Sequence, residues 1–138
     1  MRIMGIDYGD ARTGVAISDL TCTIAGSAAV VPSRNTEKAI ADIVRLSKEN
    51  QVGEIVVGLP RNMDGTEGVR AELCRAFAEK LKEATGLPVA MWDERRTTVE
   101  AHNILSQHNY HGKKRKDTVD AVAATLILEG YLAFKKRG

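Results

Sequence analysis

Cysteine is scarce in this sequence, and long apolar runs are absent. Cys22 and Cys74 lie far apart and belong to no CxxC pair, so we expect two buried, reduced thiols rather than a disulfide framework. No apolar run approaches the roughly 18 residues that a membrane span needs. A signal peptide is not expected, because the charge of Asp7 interrupts the N-terminal segment in which its apolar region would lie. These absences predict a cytoplasmic protein without a membrane partner.

Several common catalytic motifs are also missing. There is no GxxxxGK[ST] or GxGxxG pattern that would bind the phosphates of a nucleotide. His108 and His111 form an HxxH pair, but they straddle a predicted helix end and lack the partners of a zinc site. No Cys or Ser carries the local signature of an activated nucleophile. The carboxylates therefore become the main candidates for chemistry.

The composition is that of a folded domain with an uneven charge distribution. The 138 residues are 43% hydrophobic with a net charge of +2, which excludes intrinsic disorder and suits one domain over residues 1–138. Residues 1–108 carry 13 Lys and Arg against 15 Asp and Glu, whereas residues 109–138 carry 7 against 3. The basic excess therefore lies at the end of the chain, where a polyanion could bind.

The hydrophobic periodicity predicts an α/β fold in the order β-β-β-α-β-α-β-α-α. We expect strands at 2–9, 15–20, 23–31, 54–60 and 89–94, helices from Thr36, Val69, Thr97 and about Thr118, and a basic loop at 109–116. Three strands with short connections indicate an antiparallel meander, and the two βα units that follow indicate parallel strands. The prediction is a mixed five-stranded sheet covered by helices.

Two local details of this prediction concern the second helix and the loop before it. Val69, Leu73, Phe77 and Leu81 recur every four residues and are expected to form the buried face of the helix. The loop at 58–68 is expected to form a turn and to supply the helix N-cap from Asn62, Asp64 or Thr66. Alternatively, it lines a cleft at the strand ends, where its backbone N–H groups would be open to phosphate.

Five acidic residues occupy positions that need an explanation. Asp7 lies in an apolar strand, Asp93 and Glu94 end another, and Asp117 and Asp120 stand three apart at the start of the last predicted helix. Buried carboxylates are costly unless they are paired, hydrogen-bonded or bound to metal. If the three groups converge at one edge of the sheet, they form a set of hard oxygen ligands that suits Mg²⁺ or Mn²⁺.

Each acidic group also has a purely structural alternative. Asp7 could accept hydrogen bonds from backbone amides of the turn that follows it. Glu94 could pair with a neighbouring arginine or a helix terminus. Asp117 and Asp120 could be the N-cap and N3 residues of the last helix. The sequence alone does not decide between the metal-binding and the structural interpretation of these acids.

Four segments carry a resemblance to a known family: GIDYGDARTGVAIS, VVGLPRNMDGTEG, WDERRTTVEA and VDAVAATLILEGY. In this order and spacing they resemble the YqgF/RuvX family over nearly the whole chain. The resemblance implies a ribonuclease H-like fold, which agrees with the predicted element order. It also implies a metal-dependent nuclease, a hydrolase acting on ester bonds, which processes the 5′ end of pre-16S ribosomal RNA in ribosome biogenesis. The family was first described as Holliday junction resolvases, so branched DNA is the alternative substrate.

The resemblance also implies roles for individual residues. Asp7, Glu94 and Asp120 would be the catalytic metal ligands for Mg²⁺ or Mn²⁺, with Asp93 and Asp117 as substitutes. In RuvC-type resolvases the second acid ends the strand after the first helix, yet here that strand reads EIVVGLP and has no acid at its end. The second carboxylate must therefore come from the later strand.

The nucleic acid partner, pre-rRNA or branched DNA, is expected to be held by basic residues. The candidates are Arg95, Arg96, Lys113, Lys114, Arg115 and Lys116. Such contacts position a phosphate backbone rather than read its sequence, and with aromatics at only 4% base stacking is expected to be minor. A junction resolvase would also be expected to form a two-fold homodimer, because its substrate offers two symmetric cuts.

Two other classes of function compete with the nuclease. A nucleic-acid-binding module could keep the fold and the basic residues without using the acids. The DxG of the first strand, followed by a hairpin, also resembles the phosphate loop of actin-type and sugar-kinase-type ATPases. Those proteins need two such domains around the nucleotide, and 138 residues supply one.

Overall fold

The computed structural model describes residues 1–22, 25–96 and 112–137, with the backbone alone at residues 25, 96, 112–120, 136 and 137. This part of the chain folds into five strands, one 3-10 turn and three helices. The elements are β1 (Arg2–Asp7), β2 (Arg12–Ser18), β3 (Ala25–Pro32), α1 (Thr36–Glu49), β4 (Val52–Leu59), α2 (Val69–Thr85), β5 (Val89–Asp93), the 3-10 turn Glu94–Arg96 and α3 (Gly112–Arg137). The helix predicted from Thr97 lies outside the described residues.

The five strands form one mixed sheet in the order β3-β2-β1-β4-β5. β1 pairs antiparallel with β2, and β2 antiparallel with β3, whereas β1 and β5 both pair parallel with β4. The meander and the two βα units are thus confirmed. Because β1, β4 and β5 run in the same direction, their carboxyl ends meet at one edge of the sheet.

Alternation along the strands divides the core into two layers. Met4 and Ile6 of β1 pack into the layer under α1 and α2, together with Phe77. Ile3 faces the opposite layer, which α3 covers. Alternation therefore places Asp7 on the same side of β1 as Ile3, the side of the sheet that α3 covers.

Helix α3 runs antiparallel to β1 and β4. Near its end, Tyr131 and Lys135 both bond to Glu54, close to the start of β4. Further back, Leu128 and Ala124 lie directly over Gly5. The first turns of α3 therefore lie toward the carboxyl end of β1, where Asp7 is found.

The predicted boundary of α3 was wrong. The helix begins at Gly112 rather than near Thr118, so the basic run of residues 113–116 is helical and not a loop. Lysine and arginine are good helix formers, and no proline or glycine follows Gly112 until Gly130. Asp117 consequently lies inside the helix, and the alternative in which it acts as the N-cap is also wrong.

Two predictions about α2 were wrong as well. Val69 and Leu73 are exposed, and the buried face consists of Ala71, Cys74, Phe77, Ala78 and Leu81. Three of these five side chains are small, and a search for a pattern of large apolar residues does not reveal them. The N-cap is Gly68, which makes no side-chain capping bond, so Asn62, Asp64 and Thr66 do not cap this helix.

The sequence predicts neither a membrane span nor a disulfide. Within residues 1–22, 25–96 and 112–137, no helix has the length and hydropathy of a transmembrane segment. Cys22 and Cys74 are both free thiols. Cys74 lies on the buried face of α2, whereas Cys22 is only half-buried, so the expected burial of Cys22 was wrong. Burial raises the pKa of the Cys74 thiol to about 11, so this residue has the chemistry of a core side chain.

The close approach of α3 to β1 gives a stability prediction. A Cβ at Gly5 would lie 2.8 Å from Leu128 Cβ and 3.0 Å from the Ala124 carbonyl oxygen, so the helix backbone itself would have to move. We expect Gly5→Ala to lower the free energy of unfolding by about 2 kcal/mol, measured by urea denaturation. Gly53→Ala in β4 is the matched control, because its Cβ meets only the exposed, movable side chain of Met1. Equal losses in both variants would contradict this account.

Candidate active site

Two carboxyl groups meet at the carboxyl edge of the sheet. Asp7 ends β1, and Glu94 opens the 3-10 turn after β5. Burial, the charge of Asp7 and a hydrogen bond to Asp7 raise the pKa of Glu94 to about 8. Both side chains are half-buried, and the pair favours a state with a single proton between the two carboxyls, because two adjacent anions would repel each other there.

Alternation along β5 explains which acid of the Asp93-Glu94 pair reaches Asp7. Trp92 belongs to the layer under α3 and Met91 to the opposite layer. Asp93 therefore points away from the α3 side. Glu94, the first residue of the 3-10 turn, lies on the α3 side, since its carboxyl and Ile127 both lie against Gly58. The carboxylate of Asp93 is bound instead by Arg95, whose Nη2 and Nε donate to it at 2.6 and 3.0 Å. This pairing lowers the pKa of Asp93.

The turn after Asp7 is fixed by several side chains. The Gly9 N–H donates to buried Thr13 Oγ1 at 3.4 Å, and Ser33 donates its hydroxyl to the Gly9 carbonyl. Ser33 N–H also donates to the Ala11 carbonyl at 3.0 Å. The backbone after Asp7 is thus held from both β2 and the end of β3, which limits where the Asp7 carboxylate can move.

Arg70, at the start of α2, is a cation that the sequence did not single out. Its guanidinium donates to Asp10 at 2.8 Å and to the Tyr8 carbonyl at 2.6 Å, and it lies 5.5 Å from the centroid of the Tyr8 ring. The charge of Arg70 acts to lower the pKa of Glu94, against the larger opposing effects of burial and Asp7. The signal that could have revealed it is a basic residue in the first turn of a helix, where the helix dipole disfavours one.

The loop between β4 and α2 closes on itself. The N–H groups of Asn62, Gly65 and Thr66 donate to the Thr66 carbonyl, the Asn62 carbonyl and Asp64 Oδ1. These three amides are therefore not open to phosphate, and the alternative in which the loop binds phosphate is left with its other N–H groups. The expected turn is confirmed.

The same loop is tied to the turn that carries Glu94. Arg95 Nη1 donates to the Met63 carbonyl at 3.3 Å, while Arg95 also holds Asp93. Arg61 and Arg75 both pair with Glu67, the latter at 2.7 Å. Arg95 thus has a structural role, although one third of its side chain stays exposed.

Asp120 and the remaining basic candidates lie in segments where only the backbone is described. Asp120 precedes Ala124 by one turn of α3, a rise of about 6 Å. Asp7 follows Gly5 by two residues of β1, about 6.6 Å. Because Ala124 lies over Gly5 and the two elements are antiparallel, the backbone at Asp120 reaches the level of Asp7. Lys113, Lys114, Arg115, Lys116 and Asp117 occupy the turns before it, and Arg96 ends the 3-10 turn.

The donor set fits a hard divalent cation. Among the side chains that the structure describes, no three His, Cys, Asp or Glu residues form a cluster able to hold a metal ion. Asp7 and Glu94 supply two carboxylates on one side of the sheet, and the backbone of α3 brings a third acidic position to the same end. Carboxylate oxygens are the ligands that Mg²⁺ and Mn²⁺ prefer.

Comparison with known proteins assigns the chain to a family. Residues 1–134 match the sequence profile of RuvX, described as a Holliday junction resolvase. The chain belongs to the RuvX family. A relative from Halothermothrix orenii is 45% identical over 137 residues, which are 99% of this chain and 98% of that protein. Another, from Carboxydothermus hydrogenoformans, is 42% identical with 99% of both covered. Both are named "Putative pre-16S rRNA nuclease".

Solved structures share the RuvX chain's fold at low sequence identity. RuvC of Thermus thermophilus, solved with a Holliday junction substrate, superposes with a TM-score of 0.62 at 12% identity, covering 99% of this chain and 96% of that one. The fowlpox virus Holliday junction resolvase superposes with a TM-score of 0.59 at 13% identity, covering 97% and 99%. The predicted family, the ribonuclease H-like fold and the nuclease class are thereby confirmed.

The shared proton predicts a pH-dependent stability for the metal-free protein. Between about pH 5 and 8 the folded protein keeps a proton on Glu94 that the unfolded chain has lost. The free energy of unfolding therefore falls as the pH rises through this range. We expect Glu94→Gln to stabilise the protein, and the gain to grow by about 2–3 kcal/mol from pH 5 to pH 8. Thermal unfolding in a chelator at both pH values measures it.

The control for this prediction is Glu83→Gln on the exposed side of α2. We expect its effect on the Tm to be small and the same at both pH values. A Glu94→Gln effect that does not change with pH would show that the folded protein holds no extra proton at this site.

Proposed function

We propose that this protein is a Mg²⁺- or Mn²⁺-dependent nuclease that acts in the cytoplasm on the 5′ end of pre-16S ribosomal RNA. The observation that carries the proposal is the contact between the Asp7 and Glu94 carboxyls at the carboxyl edge of the sheet. A half-buried acid whose pKa is raised by a neighbouring carboxylate, as that of Glu94 is, is typical of functional sites. The substrate follows from the names of relatives that match over nearly their whole length.

In this proposal Asp7, Glu94 and Asp120 hold the metal, and Asp93 and Asp117 stand outside the ligand set. Asp7 would be the central ligand, because Glu94 contacts its carboxyl and the backbone at Asp120 reaches its level. When bound, the metal would supply an acidified water and offset negative charge on the phosphate. The chain itself needs no nucleophile, which agrees with the absence of any nucleophile signature.

The two acids also control when the site can be loaded. Glu94 keeps its proton at neutral pH as long as it faces only Asp7. A cation needs both carboxylates ionised, so Glu94 releases this proton when the site is filled. Arg70 favours the ionised form and lowers the cost of that release.

A junction resolvase is the second candidate, because the matching family profile carries that description and RuvC shares the fold. Such an enzyme would act on branched DNA as a two-fold homodimer. Sedimentation of the protein alone and with a four-way junction would show whether two copies assemble on the substrate.

The cleavage experiment compares a 5′-labelled pre-16S RNA fragment with a four-way DNA junction, each with and without Mg²⁺. We expect Mg²⁺-dependent cleavage of the RNA, and losses of more than about 100-fold in Asp7→Asn, Glu94→Gln and Asp120→Asn. Mutating a residue that only orients a metal ligand typically lowers activity about 10–100-fold, so mutating a ligand itself should lower it more. Asp42→Asn, on α1 and away from the site, serves as the control.

The outcomes separate the candidates. Cleavage of the junction but not the RNA would favour the resolvase. Wild-type cleavage by both Asp7→Asn and Asp120→Asn would refute the metal site altogether. A large loss in Asp93→Asn, with Glu94→Gln unaffected, would move the second ligand from Glu94 to Asp93.

The helical location of the basic run sharpens the prediction about substrate binding. Positions Lys113 and Lys116 share one helix face with Asp120, at a spacing of i, i+3 and i+7, whereas Lys114 and Arg115 do not. We expect Lys113→Gln with Lys116→Gln to weaken RNA binding. The slope of log K against log salt should fall by about 1.4, the value for the loss of two phosphate contacts on a single strand.

The matched control changes the same charge on the other side of the helix, Lys114→Gln with Arg115→Gln. We expect it to alter the salt slope by less than half as much. Fluorescence anisotropy at several salt concentrations measures both variants. Equal slopes in the two pairs would mean that the run acts only through its total charge.

A further inference from the structure

The order of the strands separates the two carboxyl groups of the candidate site. Asp7 ends β1 and Glu94 follows β5, but β4 lies between these two strands. Two strand spacings are about 10 Å. The carboxyls of Asp7 and Glu94 are nevertheless in contact, so the Glu94 side chain has to reach across the end of β4.

Gly58 is the residue of β4 that Glu94 crosses. It pairs in register with Trp92 on β5, and its neighbour Val57 pairs with Ile6 on β1, so Gly58 is level with Asp7. Val56 packs in the layer under α3, and alternation puts position 58 on that same side. A side chain at position 58 would therefore stand between Asp7 and Glu94.

The space that such a side chain would need is already filled. A Cβ built on Gly58 would lie 2.8 Å from Glu94 Oε1 and 3.0 Å from Glu94 Cδ, closer than Cβ atoms normally come to a carboxyl group. It would also lie 2.5 Å from Ile127 Cδ1 of α3. The Glu94 carboxyl thus lies against the bare backbone of Gly58, under Ile127.

We propose that Gly58 is a positioning residue of the active site, whose missing side chain forms the passage through which Glu94 reaches Asp7 across β4. This proposal rests on the nuclease function above and adds to it a residue that contacts neither substrate nor metal. Both groups that a Cβ would meet are movable side-chain ends rather than backbone, so the fold can accommodate alanine. The accommodation displaces Glu94 from Asp7.

The test is the Mn²⁺ affinity of the purified protein, measured by calorimetry, together with cleavage of the RNA. We expect Gly58→Ala to fold, to bind Mn²⁺ at least tenfold more weakly and to cleave at least tenfold more slowly. Gly53→Ala is the control, since it makes the same change in the same strand, where the new Cβ meets only Met1. We expect it to match the wild type in both measurements.

A second variant separates the two clashes. Ile127→Val removes the Cδ1 atom, so Gly58→Ala combined with Ile127→Val relieves the contact with α3 but not the one with Glu94. We expect this double variant to regain stability while its Mn²⁺ affinity stays low. Recovery of wild-type affinity would show that Gly58 serves only the packing of α3, and would overturn the proposal.

A double-mutant cycle with Glu94 provides the decisive readout. If Gly58 acts through Glu94, Gly58→Ala causes no further loss of Mn²⁺ affinity once Glu94→Gln is present. Additive losses would overturn the proposal. If Glu94→Gln alone leaves both affinity and cleavage unchanged, the proposed ligand set itself is refuted, which distinguishes that failure from a failure of the Gly58 proposal.

Discussion

The contact between the Asp7 and Glu94 carboxyls is the interaction around which this end of the molecule is organised. Two adjacent, half-buried acids repel each other when both are ionised, and the metal-free protein avoids this by retaining a proton. Such a pair persists only where the surrounding structure holds both groups in place. The site therefore depends on rigid neighbours, and the fold supplies them from both sides of the pair.

Each acid has its own support. The turn after Asp7 is held by Thr13 and Ser33, and Arg70 anchors the Tyr8 carbonyl next to it. The turn that carries Glu94 is held by Arg95, which joins Asp93 to the Met63 carbonyl. Charged groups thus serve two purposes here. Some form the candidate ligand set, and others position the backbone that carries it.

Much of this could be predicted from the sequence, because the signals are local. The apolar strands and the change of period after the meander led to the correct sheet and to the correct order of the elements that the structure describes. Helix α1 begins at Thr36 as predicted, and the Asn35 side chain caps it by accepting a hydrogen bond from Lys38 N–H. The start of α3 was missed, since a basic run is compatible with a solvated loop and with a helix alike. The buried face of α2 was missed because alanines and a cysteine form part of it.

The sequence by itself singled out the candidate acids and pointed to metal binding, since a carboxylate inside an apolar strand is costly without a partner. Which acids meet was decided only by the tertiary structure. Glu94 contacts Asp7, because alternation along β5 points Asp93 away from the α3 side while Glu94, in the turn that follows, lies on that side. That contact also needs Gly58, which lies in β4 at the same level as Asp7. The sequence does not reveal this alignment, because it depends on the register of β1, β4 and β5.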